Sequence, residues 1–262
     1  MAFFEMRYHS DTLKVGVTVN VIIPEKAKTL IGMQTGVGDT YKTLYLLHGL
    51  SDDNTIWMRR TSIERYAAEK GIAVVMPNIG RNWYADTAYG AKYFTFITEE
   101  LPKVCRGFFN GMSHKREDTF IAGLSMGGYG AVKAALRCPE TYGGCGSLSG
   151  AFDIFDMRRL KMLDEWKGIF GFDLEDPNEL RGTIHDVYAL AEQNAKAGVP
   201  FPKMYLWCGE SDGLVKANQE FHQLLDRLEV PHTYVESEGN HSWKWWDLHV
   251  QDALNYLMGP EA

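Results

Sequence analysis

The sequence has few cysteines, no long apolar run and no excess of basic charge. Its four cysteines are scattered and form no C-x-x-C pair, which predicts reduced, mostly buried thiols rather than a disulfide framework or a zinc site. No segment approaches the roughly 18 consecutive apolar residues of a membrane span. Residues 1–14 alternate polar and apolar types, without the apolar core of a secretory signal. We therefore expect a cytoplasmic protein with no membrane partner.

The charge balance limits the partners that the chain can bind. The 262 residues include 27 basic and 34 acidic side chains, for a formal net charge of −7, and no run of Lys or Arg exceeds a pair. Because binding to a phosphate backbone requires a basic surface, we expect no nucleic-acid partner. Apolar residues make up 45% of the chain and aromatic residues 13%, which is too much for a disordered protein. The composition predicts one folded domain.

Apolar runs of strand length alternate with longer helical patterns along the chain. The predicted strands are 13–23, 43–47, 72–76, 119–122, 145–148, 204–208 and 232–236, and the predicted helices are 62–70, 91–109, 126–137, 215–228 and 243–258. This alternation predicts an α/β fold with a mostly parallel central sheet and helices on both faces. Residues 152–199 interrupt the alternation with helical pieces and turns. We therefore predict a single domain over 1–262, with a helical insertion, or partial cap, over 152–199.

In an open α/β sheet, ligands bind beyond the carboxyl ends of the strands, and one such loop carries a serine between glycines. Gly123, Ser125 and Gly127 form a G-x-S-x-G pentapeptide that opens directly onto the 126–137 helix. A serine on so sharp a turn has a strained backbone, and side chains two positions away would collide where strand and helix meet. The pattern predicts that Ser125 is a nucleophile and that the Met126 N–H faces a developing oxyanion.

A second G-x-S-x-G match, over 209–213, is a rival with Ser211 as its serine. Its neighbour Asp212 would place a carboxylate beside the N–H that must stabilise negative charge. Only 51 residues (262 minus 211) would then remain to supply an acid and a base. We therefore favour Ser125, with a tight glycine turn and an uninvolved serine as the alternative.

A serine hydroxyl reacts at neutral pH only when a base takes its proton, and that base is usually an imidazole oriented by a carboxylate. His241 lies after the last predicted strand and before the last helix, whereas the other histidines lie in polar segments or inside predicted elements. Asp212 follows the 204–208 strand, with Glu210 as a rival and a solvated loop carboxylate as the alternative. The order Ser, Asp, His is that of α/β-hydrolases.

The loop after the 43–47 strand is the predicted source of a second oxyanion donor. Gly49 allows the backbone to approach a ligand, so we assign the donor to the Leu50 N–H and expect His48 to shape the loop. The sequence contains no H-E-x-x-H motif and no G-x-G-x-x-G dinucleotide fingerprint with the required spacing. We therefore expect no metal and no cofactor.

Three segments carry a family resemblance: 46–50 with Trp57 downstream, 123–130 and 239–246. Together they resemble the esterase D-like α/β-hydrolases, and within them most closely the bacterial tributyrin esterases, with feruloyl esterases and S-formylglutathione hydrolases as relatives. The resemblance covers nearly the whole chain. It implies an α/β-hydrolase fold and a cofactor-independent carboxylesterase that acts on short acyl chains. Homo-oligomers are common among such relatives, so we also expect a homo-oligomer. By this resemblance the triad and the oxyanion donors are Ser125, Asp212, His241, Leu50 and Met126.

Aromatic side chains near the predicted site allow two interpretations. Trp57 and Trp243, together with His48, are candidate substrate-binding residues, although tryptophan is also ordinary core material. Aromatic residues of the insertion would either form a partial lid or pack the insertion onto the sheet. Those aromatic residues are Trp166, Phe170 and Phe172.

The predicted function is a serine carboxylesterase for short-acyl-chain esters, working through an acyl-enzyme on a small-molecule substrate. A feruloyl or acetyl-xylan esterase acting on plant polysaccharide esters is the alternative with the same mechanism. A non-catalytic binding protein with a hydrolase fold is the alternative of another class.

Overall fold

An eight-stranded sheet, in the order β1-β2-β4-β3-β5-β6-β7-β8, forms the centre of the molecule. The computed structural model describes residues 1–25, 38–156 and 161–259. Strands β3 to β8 are parallel to one another, and the β1–β2 hairpin joins them through antiparallel pairing of β2 with β4. The strands are β1 (Ala2–Ser10), β2 (Val15–Ile23), β3 (Thr43–Leu47), β4 (Ala73–Pro77), β5 (Thr119–Leu124), β6 (Gly144–Leu148), β7 (Lys203–Gly209) and β8 (His232–Ser237).

Helices cover both faces of this sheet. They are α1 (Ile56–Arg60), α2 (Ile63–Lys70), α3 (Tyr93–Thr95), α4 (Leu101–Phe108), α5 (Met126–Arg137), α6 (Leu163–Phe170), α7 (Val187–Ala197), α8 (Val215–Arg227) and α9 (Trp243–Met258). One apolar cluster packs α4, α5, α7 and α8 on one face, and the other packs α1, α2 and α9 on the opposite face. Every residue of β3 to β6 is buried, which is why these strands read as continuous apolar runs.

The predicted α/β fold is confirmed, and the differences from the predicted elements have local causes. Strand β1 was not predicted because its alternation is half exposed and, among the described residues, it pairs with β2 alone. Helix α1 is too short to show a helical period. The predicted helix over 91–109 is divided between α3 and α4 by a π-helical turn at Phe96–Glu100.

The predicted insertion lies between β6 and β7, and its described part contains α6, α7 and a 3₁₀ turn at Pro177–Leu180. Residues 157–160 of that prediction lie outside the described residues. Across the part of the chain that the structure describes, no helix has both the length and the apolar character needed to cross a bilayer.

Candidate active site

Ser125 occupies a sharp turn between β5 and α5. Its backbone has φ 52° and ψ −119°, a conformation that costs a non-glycine residue on the order of 1–3 kcal/mol. A Cβ atom added to Gly123 would lie 2.5 Å from the Gly127 carbonyl oxygen, and one added to Gly127 would lie 2.5 Å from the Leu47 carbonyl oxygen. Strand and helix therefore approach so closely that only glycine fits on either side of the serine, and the turn holds the hydroxyl at the carboxyl end of the sheet.

His241 connects Ser125 to Asp212 through both of its ring nitrogens. Its Nε2 lies 3.1 Å from Ser125 Oγ, and its Nδ1 lies 2.9 Å from Asp212 Oδ2. An ionised carboxylate can only accept, so Nδ1 carries the proton and Nε2 presents its lone pair to the serine hydroxyl. The three side chains come from the loops after β5, β7 and β8, which end at the same edge of the sheet.

Asp212 is kept ionised although its side chain is fully buried. Burial raises its pKa, but the hydrogen bond and charge of His241 and the Leu214 N–H, which donates at 2.9 Å, outweigh burial. The Ser149 hydroxyl also donates to this carboxylate. The net result is a pKa below the ordinary value for aspartate, so the carboxylate can hold the imidazole in one tautomer at neutral pH.

Ser149 is a site residue that the sequence reasoning missed. It follows β6, is fully buried and has φ 51°. Besides donating to Asp212, its hydroxyl accepts the indole N–H of Trp246 at 3.0 Å. The Trp246 ring in turn lies edge-on to His241, with ring centres 4.8 Å apart. One hydroxyl thus connects the carboxylate to the ring that packs on the imidazole. The sequence signal that could have identified Ser149 was its position directly after a predicted strand.

The two predicted oxyanion donors belong to different elements: Leu50 lies in the loop after β3, and Met126 is the first residue of α5. Among the described residues, neither the Leu50 N–H nor the Met126 N–H donates to a protein acceptor, and both residues line the same cavity. His48 is buried, and its Nε2 accepts the Ile79 N–H at 3.1 Å while its Nδ1 contacts the Gly49 carbonyl oxygen at 2.7 Å. Burial lowers the pKa of His48, so the neutral ring can donate to one partner and accept from the other.

Trp57 and His48, two of the candidate substrate-binding residues, do not line the cavity. Trp57 is buried behind the loop, where its indole N–H donates to the Leu47 carbonyl oxygen at 3.0 Å. Its ring lies edge-on to Trp243, with centres 5.1 Å apart. Of the three candidates, only Trp243 reaches the cavity, and the other two support the wall behind it.

The cavity at this site has a volume of about 740 Å³. Its wall includes Leu50, Trp83, Leu124, Leu214, Trp243 and Trp246 around Ser125 and His241. Asp52, Asp153 and Lys161 add charge to it. Of the second pentapeptide, Asp212 and Gly213 line the cavity, whereas Ser211 and Glu210 do not.

The aromatic residues of the predicted insertion pack against the loop after β4. Trp166 is fully buried and lies edge-on to Trp83, with ring centres 5.6 Å apart, and Phe170 packs on Trp166 at 5.3 Å. Phe172 is 66% exposed. None of the three lines the cavity, which favours the packing interpretation over the lid.

The chain is similar to known proteins over nearly its whole length. The family model described as "Putative esterase" matches residues 10–257. The chain belongs to the Esterase family. This esterase is 29% identical to an acetyl esterase of Caldicellulosiruptor saccharolyticus over 98% of both chains. The resemblance to esterase D-like hydrolases predicted from the sequence is therefore confirmed.

Two solved structures from Staphylococcus aureus are similar over nearly their whole length. One is the fluorophosphonate-binding serine hydrolase FphF, with 36% identity, a TM-score of 0.86 and 99% of each chain covered. The other is the S-formylglutathione hydrolase FrmB, with 35% identity, a TM-score of 0.84 and 98% of this chain and 99% of that chain covered. Family and neighbours agree on the enzyme class: this protein is a serine carboxylic ester hydrolase.

Proposed function

We propose that this esterase hydrolyses short-chain carboxylic esters, with Ser125 as nucleophile and His241 as general base. Asp212 orients the imidazole, and the Leu50 and Met126 N–H groups hold the oxyanion. The observation that carries the proposal is the continuous contact from Ser125 Oγ to His241 Nε2 at 3.1 Å and from His241 Nδ1 to Asp212 Oδ2 at 2.9 Å, at the wall of a cavity.

The reaction proceeds in two half-reactions. Ser125 Oγ attacks the ester carbonyl carbon while His241 Nε2 takes the hydroxyl proton, and that proton passes to the leaving alcohol as the ester C–O bond breaks. Water then attacks the acyl-enzyme, giving its proton to His241, which returns it to Ser125 as the carboxylic acid leaves. Each tetrahedral intermediate places its negative oxygen between the two backbone donors, and removing one such donor typically costs about 2.7–4 kcal/mol in related chemistry.

The preference for short acyl groups is supported by the relative named acetyl esterase. The wall of the cavity offers apolar contact to an acyl chain through side chains such as Leu50, Leu214 and Trp243. A second candidate substrate class is the thioester, because FrmB, which is named as an S-formylglutathione hydrolase, is 35% identical over nearly the whole chain. The same nucleophile and base would serve both classes, with a thiol in place of the alcohol as leaving group.

A Ser125→Ala variant tests the assignment, and Ser211→Ala from the rival pentapeptide is its matched control. We expect Ser125→Ala to lose turnover of 4-nitrophenyl butyrate and labelling by a fluorophosphonate probe, and Ser211→Ala to keep both. Wild-type rates in Ser125→Ala would reject the nucleophile. Absence of both labelling and turnover in the folded wild-type protein would instead favour the non-catalytic binding protein.

A substrate panel separates the candidate activities. It compares 4-nitrophenyl acetate and butyrate, S-formylglutathione, methyl ferulate and acetylated xylan by kcat/KM. We expect the short-chain esters to give the highest values. A preference for methyl ferulate or acetylated xylan would support the plant-polysaccharide alternative, and a preference for the thioester would support the second candidate.

We further propose a single domain in which 152–199 is an insertion, and a cytoplasmic location. The location is supported by Cys105, Cys138, Cys145 and Cys208, which are all free thiols.

A further inference from the structure

A compact group of potential metal ligands lies away from the catalytic loops. His222 and Asp226 are on α8, and His232 is the first residue of β8. The catalytic loop follows the other end of β8, after Ser237, so about 16 Å of strand separates the two places. The esterase mechanism uses none of these three side chains.

The ligand atoms of these residues already face one another. One ligand atom from each residue can be chosen so that all lie within 4.8 Å of one another. His222 Nδ1 lies 2.7 Å from His232 Nε2, and Asp226 Oδ1 lies 3.9 Å from that same nitrogen. Four-coordinate zinc with ligands at about 2.0–2.2 Å separates its ligand atoms by roughly 3.3–3.5 Å. The observed distances lie on either side of that value, so small side-chain rotations would accommodate an ion.

The surrounding contacts hold the imidazoles in position and define which nitrogen carries each proton. His232 Nδ1 lies 2.8 Å from the Val230 carbonyl oxygen, to which it must donate, so its Nε2 accepts the His222 Nδ1–H at 2.7 Å and offers that lone pair to an ion once the His222 proton moves to His222 Nε2. The His222 ring is stacked on Tyr234, with centres 4.6 Å apart and planes inclined by 24°. Both rings are therefore oriented before any ion arrives.

Asp226 supplies the third ligand and supports the tautomer that binding requires. When His222 binds an ion through Nδ1, its proton resides on Nε2, which lies 3.4 Å from Asp226 Oδ2. The other carboxylate oxygen, Oδ1, is then available to the ion. The side chain of Asp226 is 60% exposed, so an ion can enter from solvent and water can complete its coordination.

We propose that His222, Asp226 and His232 bind one first-row divalent transition-metal ion, with zinc as the reference ion. Two imidazole nitrogens and one carboxylate oxygen suit zinc, copper or nickel and do not suit magnesium or calcium, which prefer all-oxygen sites. The ion joins the end of α8 to the start of β8, the strand at the sheet edge. It is a structural clip, because it adds a cross-link that only the folded chain can form.

Sequence motifs did not reveal this site because its ligands come from two elements. His222 and Asp226 are separated by one helical turn, but the second histidine follows a turn and begins a strand. From the absence of linear ligand motifs we expected no metal, and this proposal departs from that expectation. The proposed ester hydrolysis does not depend on the ion.

Isothermal titration with ZnCl₂ on the full chain tests the proposal. All titrations use a His241→Ala background, because the catalytic histidine and aspartate form a competing pair of ligands. We expect one zinc ion per chain and no response to MgCl₂. The midpoint temperature of thermal unfolding should rise with zinc concentration. His222→Ala and His232→Ala should each weaken binding at least tenfold and abolish the thermal shift.

His114→Ala is the matched control, because His114 is an exposed histidine outside the cluster. It should bind zinc as its parent does. Circular dichroism establishes that each variant is folded, and Asp226→Asn provides a conservative third test with weakened binding expected. Equal zinc affinity in the parent and in both histidine variants, or no zinc binding by the folded parent, would overturn the proposal. Neither result would bear on ester hydrolysis, which is measured separately.

Discussion

Ser149→Ala is the substitution that most directly tests how the triad is held. The Ser149 hydroxyl donates to Asp212 and accepts the Trp246 indole N–H at 3.0 Å, and Trp246 packs edge-on against His241. Removing the hydroxyl takes one donor from a buried carboxylate and leaves a buried indole N–H without its acceptor. We therefore infer that Ser149 positions the triad without touching substrate.

The magnitude follows from the groups involved. A hydrogen bond to a charged group contributes about 1.5–3 kcal/mol. Every 1.36 kcal/mol lost from transition-state stabilisation lowers the rate tenfold, so kcat should fall by roughly 10- to 100-fold. The unpaired indole N–H should lower the free energy of unfolding by about 1–3 kcal/mol. KM should change little, because Ser149 does not line the cavity.

Steady-state kinetics with 4-nitrophenyl butyrate and urea denaturation measure the two effects separately. Ser147→Ala is the matched control: Ser147 lies in β6, two residues before Ser149, and its buried hydroxyl has no hydrogen-bond partner among the described residues. Ser149→Gly separates catalysis from backbone strain. It removes the hydroxyl as well but relieves a left-handed backbone that costs a non-glycine residue about 1–2 kcal/mol, so it should be more stable than Ser149→Ala and equally slow.

The positioning role would be refuted if Ser149→Ala kept the wild-type kcat, or if Ser147→Ala lost as much activity. A loss of kcat in Ser149→Ala with recovery in Ser149→Gly would assign the effect to the backbone instead of the hydroxyl.

Three further predictions concern the oriented imidazole, the close strand–helix contact and a buried lysine. Asp212→Asn should keep the fold but lower kcat by at least about 10³-fold in an ester assay. An amide no longer enforces the tautomer in which His241 offers the Nε2 lone pair to the serine, and a loss of less than tenfold would contradict this role. Gly127→Ala should lower the free energy of unfolding by about 1–3 kcal/mol in urea denaturation, because the added Cβ would lie 2.5 Å from a backbone oxygen. Gly213→Ala is the control and should keep its stability, because a Cβ added there meets no atom within 4 Å. Equal losses in the two variants would contradict the close contact. Burial, with a smaller effect of Arg137, lowers the pKa of Lys133 to about 7, so from pH 7 to 9 the unfolded chain binds a proton that the folded chain does not. The free energy of unfolding of the wild type, relative to that of Lys133→Met, should therefore rise with pH by at most about 1.4 kcal/mol per pH unit. If urea denaturation gave the same difference at every pH, the buried neutral amine would be contradicted.

Lys133 also connects the predicted insertion to α5. Its Nζ donates to the Tyr84 carbonyl oxygen at 3.0 Å and lies 3.1 Å from His185 Nδ1, which belongs to the insertion. Burial and the lysine together lower the pKa of His185 to about 2, so this imidazole is neutral and can accept from the amine. The sequence placed His185 in a polar segment, and only the packed structure shows it buried beside α5.

The sequence by itself determined the elements that depend on neighbouring residues. Run lengths predicted the parallel strands, and the bounds of β3, α5 and α9 agree with the prediction to the residue. The spacing of Gly123, Ser125 and Gly127 predicted the strained turn, because the clash that excludes side chains there arises within five residues and with the adjacent strand. Placement after a strand also pointed to Asp212 and His241.

Tertiary structure alone decided which of these residues meet. Ser125 and His241 are 116 positions apart, and only the order of strands in the sheet brings their side chains within hydrogen-bonding distance. Other contacts also join residues that are far apart in the sequence or belong to different elements. They include the contacts of Ser149, the location of Trp57 behind the cavity wall and the approach of His232 to His222. A local pattern records what each residue's neighbours require, whereas these contacts depend on packing angles and strand order, which no short window of sequence contains.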